Sequence, residues 1–149
     1  MSGWSGASYI LLIKLHNKML INIKSLGTVV LDPGFYIYIG SANIRNPLAR
    51  ILRHFRKRKK IKWHIDFLTN APSIEVIAAI MCYGLTESLI YDLIISQDRF
   101  VTAARRFGST DQKHHITHLF KIKGEPAIVL RCTINQLKRL CRIIELVTK

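Results

Sequence analysis

Gly34-Phe35-Tyr36-Ile37-Tyr38-Ile39-Gly40-Ser41-Ala42, followed by Leu48-Ala49-Arg50-Ile51-Leu52-Arg53-His54, is the stretch from which the fold of this chain can be worked outward. Tyr36, Ile37, Tyr38 and Ile39 are aromatic or β-branched, a composition that favours a pleated strand. Gly40 ends the run and lets another group approach the backbone closely. Asn46 can cap a helix, and Pro47 suits the first helical position, where its missing N–H costs nothing. Leu48 onward therefore reads as helix. Arg50 and His54, four apart, share one helix face with Arg53 and Lys57 beside them, and Leu48, Ile51, Leu52 and Phe55 form an apolar stripe opposite. The unit is a strand, a glycine turn and a cationic helix.

At 149 residues the chain is long enough for one domain with a proper core, and a single domain over 1–149 is expected. Its formal net charge is +14, from 23 Lys and Arg against 9 Asp and Glu, which implies an acidic partner. Nucleic acid is the first candidate. A membrane is the second, but Lys14, Asp66 and Glu75 interrupt the apolar runs before any reaches the roughly 18 residues that span a bilayer. The N-terminus shows no basic n-region of a signal peptide, and the expected compartment is the cytoplasm. Cys82, Cys132 and Cys141 are odd in number and lack C-x-x-C spacing, so they read as core thiols.

Working outward, Tyr9 to Leu15 and Met19 to Ile23 read as an antiparallel hairpin across His16-Asn17-Lys18. Asp32-Pro33-Gly34 turns the chain into the central strand. The cationic helix ends in Arg56-Lys57-Arg58-Lys59-Lys60, either a solvated helix end or, with Arg45, Arg50 and Arg53, a phosphate-binding surface. Ile61 to Leu68 alternates as a strand, with His64 and Asp66 on one side. Ile74 to Tyr83 reads as a buried strand, with a helix as the alternative. Thr86 can cap a helix over Glu87 to Ile95. A short helix is expected around Phe100 to Arg105 and a polar loop from Gly108 to His115. Thr117 to Ile122 and Ala127 to Arg131 read as a final strand pair. The capping-box spacing of Thr133 and Gln136, followed by Ile134, Leu137, Leu140, Cys141, Ile144 and Val147, predicts a C-terminal helix.

Tyr38-Ile39-Gly40, with Arg50 and His54 in an R-x-x-x-H spacing, resembles the second half of the GIY-YIG nuclease signature. Ala7-Ser8-Tyr9 stands where the first half has Gly-Ile-Tyr, with Ala7 for the leading glycine and Gly6 one place earlier. The Gly34 to Ala42 run, Trp63-His64-Ile65-Asp66-Phe67-Leu68 and Phe107-Gly108-Ser109-Thr110-Asp111 are similar to the small Uri-type branch of that superfamily, and the resemblance spans Tyr9 to about Phe120. It implies an α+β fold, a small, mostly antiparallel central sheet flanked by helices, with a nuclease-like core over 7–120 and an added C-terminal strand pair and helix in 121–149. It also implies a divalent-metal-dependent endonuclease hydrolysing phosphodiesters in nucleic acid, with DNA expected. A basic binding module on the same scaffold that does not cut is the alternative.

Such hydrolysis needs an in-line water, neutralisation of developing charge and help for the leaving oxygen. Glu87 stands where the family places its metal glutamate, for Mg²⁺ or Mn²⁺, and otherwise reads as a carboxylate favouring a helix N-terminus. Tyr9 and Tyr38 are both candidate bases, and each also reads as a packed strand residue. Arg50 offers a planar fork to the scissile phosphate or is one more cation of a basic helix. His54 and His64 can orient water or protonate the leaving oxygen. Arg45, Arg53, Arg56, Lys57 and Arg58 are candidates for phosphate contact. His114 and His118 would share a face for zinc only in a helix, and the preceding Gly108-Ser109-Thr110-Asp111 favours a loop. The oligomeric state is left open.

Overall fold

A computed structural model describes residues 6–141 and 143–149. Its centre is β1 (Ala7–Leu15), buried on nearly every residue, with β4 (Gly34–Ser41) on one side and β5 (Ile74–Tyr83) on the other. A strand apolar on both faces needs a neighbour along each edge and a layer over each face, and β1 has all four. The sheet is completed by β6 (Phe100–Thr102), β7 (Leu119–Ile122) and β8 (Ile143–Thr148), in the order β6-β7-β4-β1-β5-β8 with every pair antiparallel. A separate two-stranded sheet joins β2 (Met19–Ile23) to β3 (Gly27–Leu31).

The two-residue period of β1 divides the core. Tyr9, Leu11, Ile13 and Leu15 pack in one cluster with Tyr38, Ile51, Ile65, Leu68 and Phe107, beneath α1 (Pro47–His54) and α2 (His64–Thr69). Ile10 and Leu12 pack in the other with Ile37, Ile39, Ile90, Ile94, Val129 and Leu137, beneath α3 (Glu87–Ile95) and α4 (Pro126–Lys138). The chain is thus α+β, a small antiparallel sheet between two pairs of helices. No helix among the described residues is long and apolar enough to cross a membrane.

Five local expectations are corrected. The expected hairpin of 9–15 with 19–23 does not form: β1 takes β4 and β5 as neighbours, and β2 turns instead onto β3. Residues 61–68 do not form a strand, because Asp66 Oδ2 accepts from the backbone N–H of Lys62 (2.8 Å) and Trp63 (2.9 Å) and so holds the start of α2. Ile65 and Leu68, three apart, are then the buried pair. Phe100–Thr102 is strand, paired to β7, rather than a short helix. At the C-terminus helix and strand exchange places. Pro126 sits in the first turn of α4, which buries Val129, Thr133 and Leu137 at four-residue spacing. The helix expected from Thr133 to Val147 ends at Lys138, and Ile143–Thr148 closes the free edge of β5. Finally, α1 turns in Ile51 and His54, whereas Leu48 and Leu52 are 36% and 47% exposed. The face of α1 bearing the candidate histidine is therefore the packed face.

Candidate active site

Tyr9 lies opposite Gly40 in the β1–β4 register, and Leu11 lies opposite Tyr38. The two tyrosines are diagonal neighbours on the sheet face beneath α1, with ring centroids 6.5 Å apart. Gly40 makes this possible. A Cβ built there would fall 2.7 Å from Tyr9 Cε1 and nearer still to Cζ and the hydroxyl, so any larger residue would displace the Tyr9 ring. Gly40 has no left-handed backbone torsion, so close approach alone accounts for it.

The Tyr9 hydroxyl and His54 Nε2 are 2.6 Å apart and buried. His54 is 1% exposed, its Nδ1 has no partner among the described residues, and burial pushes its pKa down to about 4. The imidazole is therefore neutral at pH 7, and it reaches the cleft only through Tyr9. Burial, then the neighbouring Tyr38, push the Tyr9 phenol well above its ordinary value, against the opposing pull of Arg50. Burial and the carboxylates of Glu87, Asp66 and Asp111 push Tyr38 up as well. Both are neutral phenols at pH 7.

Next to them a cleft of about 410 Å³ is lined by Tyr9, Tyr38, Arg50, His64, Glu87 and Asp111, among others. Arg50 donates Nη1 to the Ser41 carbonyl at 2.9 Å, and its guanidinium carbon lies 5.0 Å from the centre of the Trp63 ring. One edge of the fork is thus fixed and its flat face supported, which pre-orients the remaining donors. His64 Nδ1 accepts from Gly108 N–H at 2.9 Å. In the neutral ring Nε2 then carries the hydrogen and donates to Ser25 Oγ, 2.9 Å away. Gly108, at φ +73°, lies so close to Tyr38 that a Cβ would fall 2.8 Å from Cε1. The 107–109 turn is thereby locked onto the tyrosine and histidine walls.

Glu87 starts α3, behind Thr86, whose Oγ1 accepts from Leu89 N–H at 3.2 Å. Its Oε1 accepts from Gln112 Nε2, and its Oε2 lies 3.8 Å from His118 Nδ1. Burial raises its carboxyl above the ordinary value, the Gln112 hydrogen bond opposes this, and Asp111 adds to it. Glu87 is thus a partly desolvated carboxylate whose cleft wall also includes Asp111. Among the described residues no group of three or more His, Cys, Asp or Glu side chains is placed to hold a metal ion. Glu87 and Asp111 are the carboxylates of the cleft wall, and a hard divalent cation such as Mg²⁺ or Mn²⁺ takes only one or two from a protein while keeping several waters.

The five candidate phosphate contacts divide into two groups. Arg53 donates Nη1 and Nη2 to Asp66 at 2.6 and 3.0 Å and Nη2 to the Lys60 carbonyl at 2.8 Å. Lys57 Nζ donates to the carbonyls of Ala71, at 3.0 Å, and Ile74. Both cations have internal partners. Arg45, Arg56 and Arg58 are exposed. Elsewhere, His115 Nδ1 lies 2.8 Å from His118 Nε2, while His114 is exposed.

Several contributors escape sequence reasoning. Asp66, fully buried against Arg53, looks like a strand residue beside His64. Asp111 and Gln112 lie in an apparently plain polar loop, and no spacing ties them to Glu87. Trp63 signals burial by its size but not that it would support Arg50. The chain belongs to the family described as Domain of unknown function DUF123, which matches residues 8–141. Neither a curated protein nor a solved structure matches it.

Proposed function

We propose that this chain is a divalent-metal-dependent endonuclease of the GIY-YIG kind, hydrolysing phosphodiesters in nucleic acid, with DNA as the expected substrate. The observation that supports it most is convergence: Tyr9, Tyr38, Arg50, His64 and Glu87, drawn from two strands and three helices, line one polar cleft on a protein of net charge +14. Arg50 binds the scissile phosphate and neutralises its developing charge. Tyr9, held by the neutral His54, orients the attacking water, and its raised pKa makes it a positioning hydroxyl rather than a standing phenolate. His64, fixed by Gly108 and Ser25, holds its ring at the cleft wall beside the leaving oxygen. Glu87, with Asp111 across the cleft, would hold Mg²⁺ or Mn²⁺, which supplies positive charge to the reacting phosphate.

A second reading, a binding module that does not cut, has one observation in its favour: an oxygen of Glu87 is already taken by Gln112. Glu87→Gln separates the two. The variant keeps the side-chain shape, and losing a carboxylate at a helix N-terminus costs under about 1 kcal/mol of stability. On the nuclease reading Mg²⁺-dependent cleavage collapses by about a hundredfold or more, while affinity in metal-free buffer holds or rises. Cleavage at the wild-type rate by the variant would remove Glu87 from the metal site. A wild type that binds duplex, nicked, branched and single-stranded substrates without cutting any would establish the module.

A further inference from the structure

The loop from Ala103 to His118 builds a second concavity, of about 270 Å³, beside the cleft of Arg50 and Glu87. Arg105, Arg106, Lys113, Ser109, Thr110 and His115 contribute to its wall, and no carboxylate does. None of the three cations is in an ion pair among the described residues. Three like charges around one hollow repel each other unless an anion sits among them.

Two independent features indicate that the hollow is built rather than incidental. Arg106 adopts φ +63°, the one positive value at a non-glycine residue among those described. Its N–H donates to the Ile116 carbonyl at 2.6 Å, and its own carbonyl accepts from Ser109 N–H at 3.2 Å, so the strained turn is held from both sides. Ser109 is 3% exposed, and its buried hydroxyl has no hydrogen-bond partner among the described residues. Ser109 belongs to the wall of the hollow, and a buried hydroxyl without a partner favours a ligand that supplies an acceptor. Thr110 belongs to both walls, so the two sites are adjacent.

We infer that this concavity is a second oxyanion site that takes a tetrahedral phosphate group. The oxyanion chemistry stands on its own; that the phosphate belongs to the strand being cut, next along from the one at Arg50, rests on the endonuclease reading. Two phosphates gripped on either side of Thr110 would set the direction in which the strand lies across the cleft. This makes Arg105, Arg106 and Lys113 binding residues rather than catalytic ones.

The direct test titrates the full chain with inorganic phosphate at fixed ionic strength, using chloride as reference, and follows backbone amide NMR shifts. Saturable shifts centred on 105–116 are expected, retained in Arg50→Ala. They should weaken by about tenfold or more in Lys113→Ala and in Arg106→Gly. Glycine adopts φ +63° without strain, so the latter variant removes the charge and keeps the turn. Shifts that do not saturate, that chloride reproduces, or that survive when Lys113→Ala and Arg106→Gly are combined would overturn the site. A second arm replaces single phosphates of an oligonucleotide by neutral methylphosphonate. One position near the cut should weaken wild-type binding and leave Lys113→Ala unaffected, which assigns the phosphate to the strand. No such position, with the phosphate titration positive, assigns the site to free phosphate. The wild type should also hydrolyse bis(p-nitrophenyl) phosphate, which carries one phosphate, on the endonuclease reading. If the wild type cuts neither substrate the endonuclease reading fails, while the titration still decides this site.

Discussion

At the scale of single residues, the site depends on one close approach. Gly40 is the only kind of residue that leaves room for the Tyr9 ring, and the Tyr9 hydroxyl in turn is the hydrogen-bond partner of His54 Nε2 among the described residues. Gly40→Ala is therefore expected to push Tyr9 off His54, destabilise the fold by about 1–3 kcal/mol as overpacking does and, on the proposed endonuclease reading, remove most cleavage. Urea unfolding and a cleavage assay on the folded fraction check this together. Wild-type values in both would mean that the ring has slack the static contacts do not show. Gly40 was legible in the sequence because a glycine closing an aromatic strand has few other uses. Arg50 was legible by its four-residue offset from His54. Asp111 was not, since a carboxylate in a polar loop looks the same whether or not it faces another across a cleft.

Among elements, the clearest dependence is of α1 on α2. Asp66 is fully buried and accepts from Arg53, Lys62 N–H and Trp63 N–H, so one carboxylate joins the end of α1 to the start of α2. Arg53 and the two backbone hydrogen bonds hold the Asp66 carboxyl below its ordinary value despite burial. Asp66→Asn leaves the Arg53 charge without its counter-charge. A loss of about 3–5 kcal/mol is expected and, on the proposed endonuclease reading, cleavage falls as Trp63 releases the Arg50 guanidinium. A loss below about 1 kcal/mol would show that water replaces the pair. The same junction explains where sequence reasoning stopped. The alternation of Trp63, Ile65 and Phe67 fits a strand over so short a run, and only the capping role of Asp66 makes it helix. The C-terminal reversal has the same origin. Ile134, Leu137, Cys141 and Ile144 are helically spaced, yet the open edge of β5 offers Ile143–Thr148 a ladder of hydrogen bonds that spacing alone cannot reveal. By contrast β1, β4 and β5 were readable because strands buried on both faces are continuous apolar runs.

For the whole molecule, the charge excess and the buried histidines make opposite demands on solvent conditions. If nucleic acid is the partner, the exposed Arg45, Arg56 and Arg58 can meet its phosphates while Arg53 and Lys57 are held internally. The slope of log affinity against log salt should therefore fall by about 0.9 for Arg58→Gln and stay unchanged for Arg53→Gln. Equal slopes for both variants would mean that the internal hydrogen bonds give way on binding. Acid acts on folding instead. Burial lowers His54 and His118 to about 4, from an unfolded value near 6.5, and lowers His64 and His115 in the same direction. Between about pH 6.5 and 4 the unfolded chain thus binds protons that the folded chain refuses. Stability must rise with pH across that window, by about 1.4 kcal/mol per pH unit for each such proton, and level off above it. On acidification the histidine loss begins near pH 6.5; Glu87, raised by burial, takes up its proton more readily in the folded chain and offsets part of that loss, and Asp66 adds its own contribution only below about pH 4. Urea midpoints at pH 4.5, 5.5, 6.5 and 7.5 should climb through the first three and then flatten. A flat series from 4.5 to 6.5 would mean that His54 and His118 take up protons in the folded state, so that the His54 imidazole beside Tyr9 is charged rather than neutral.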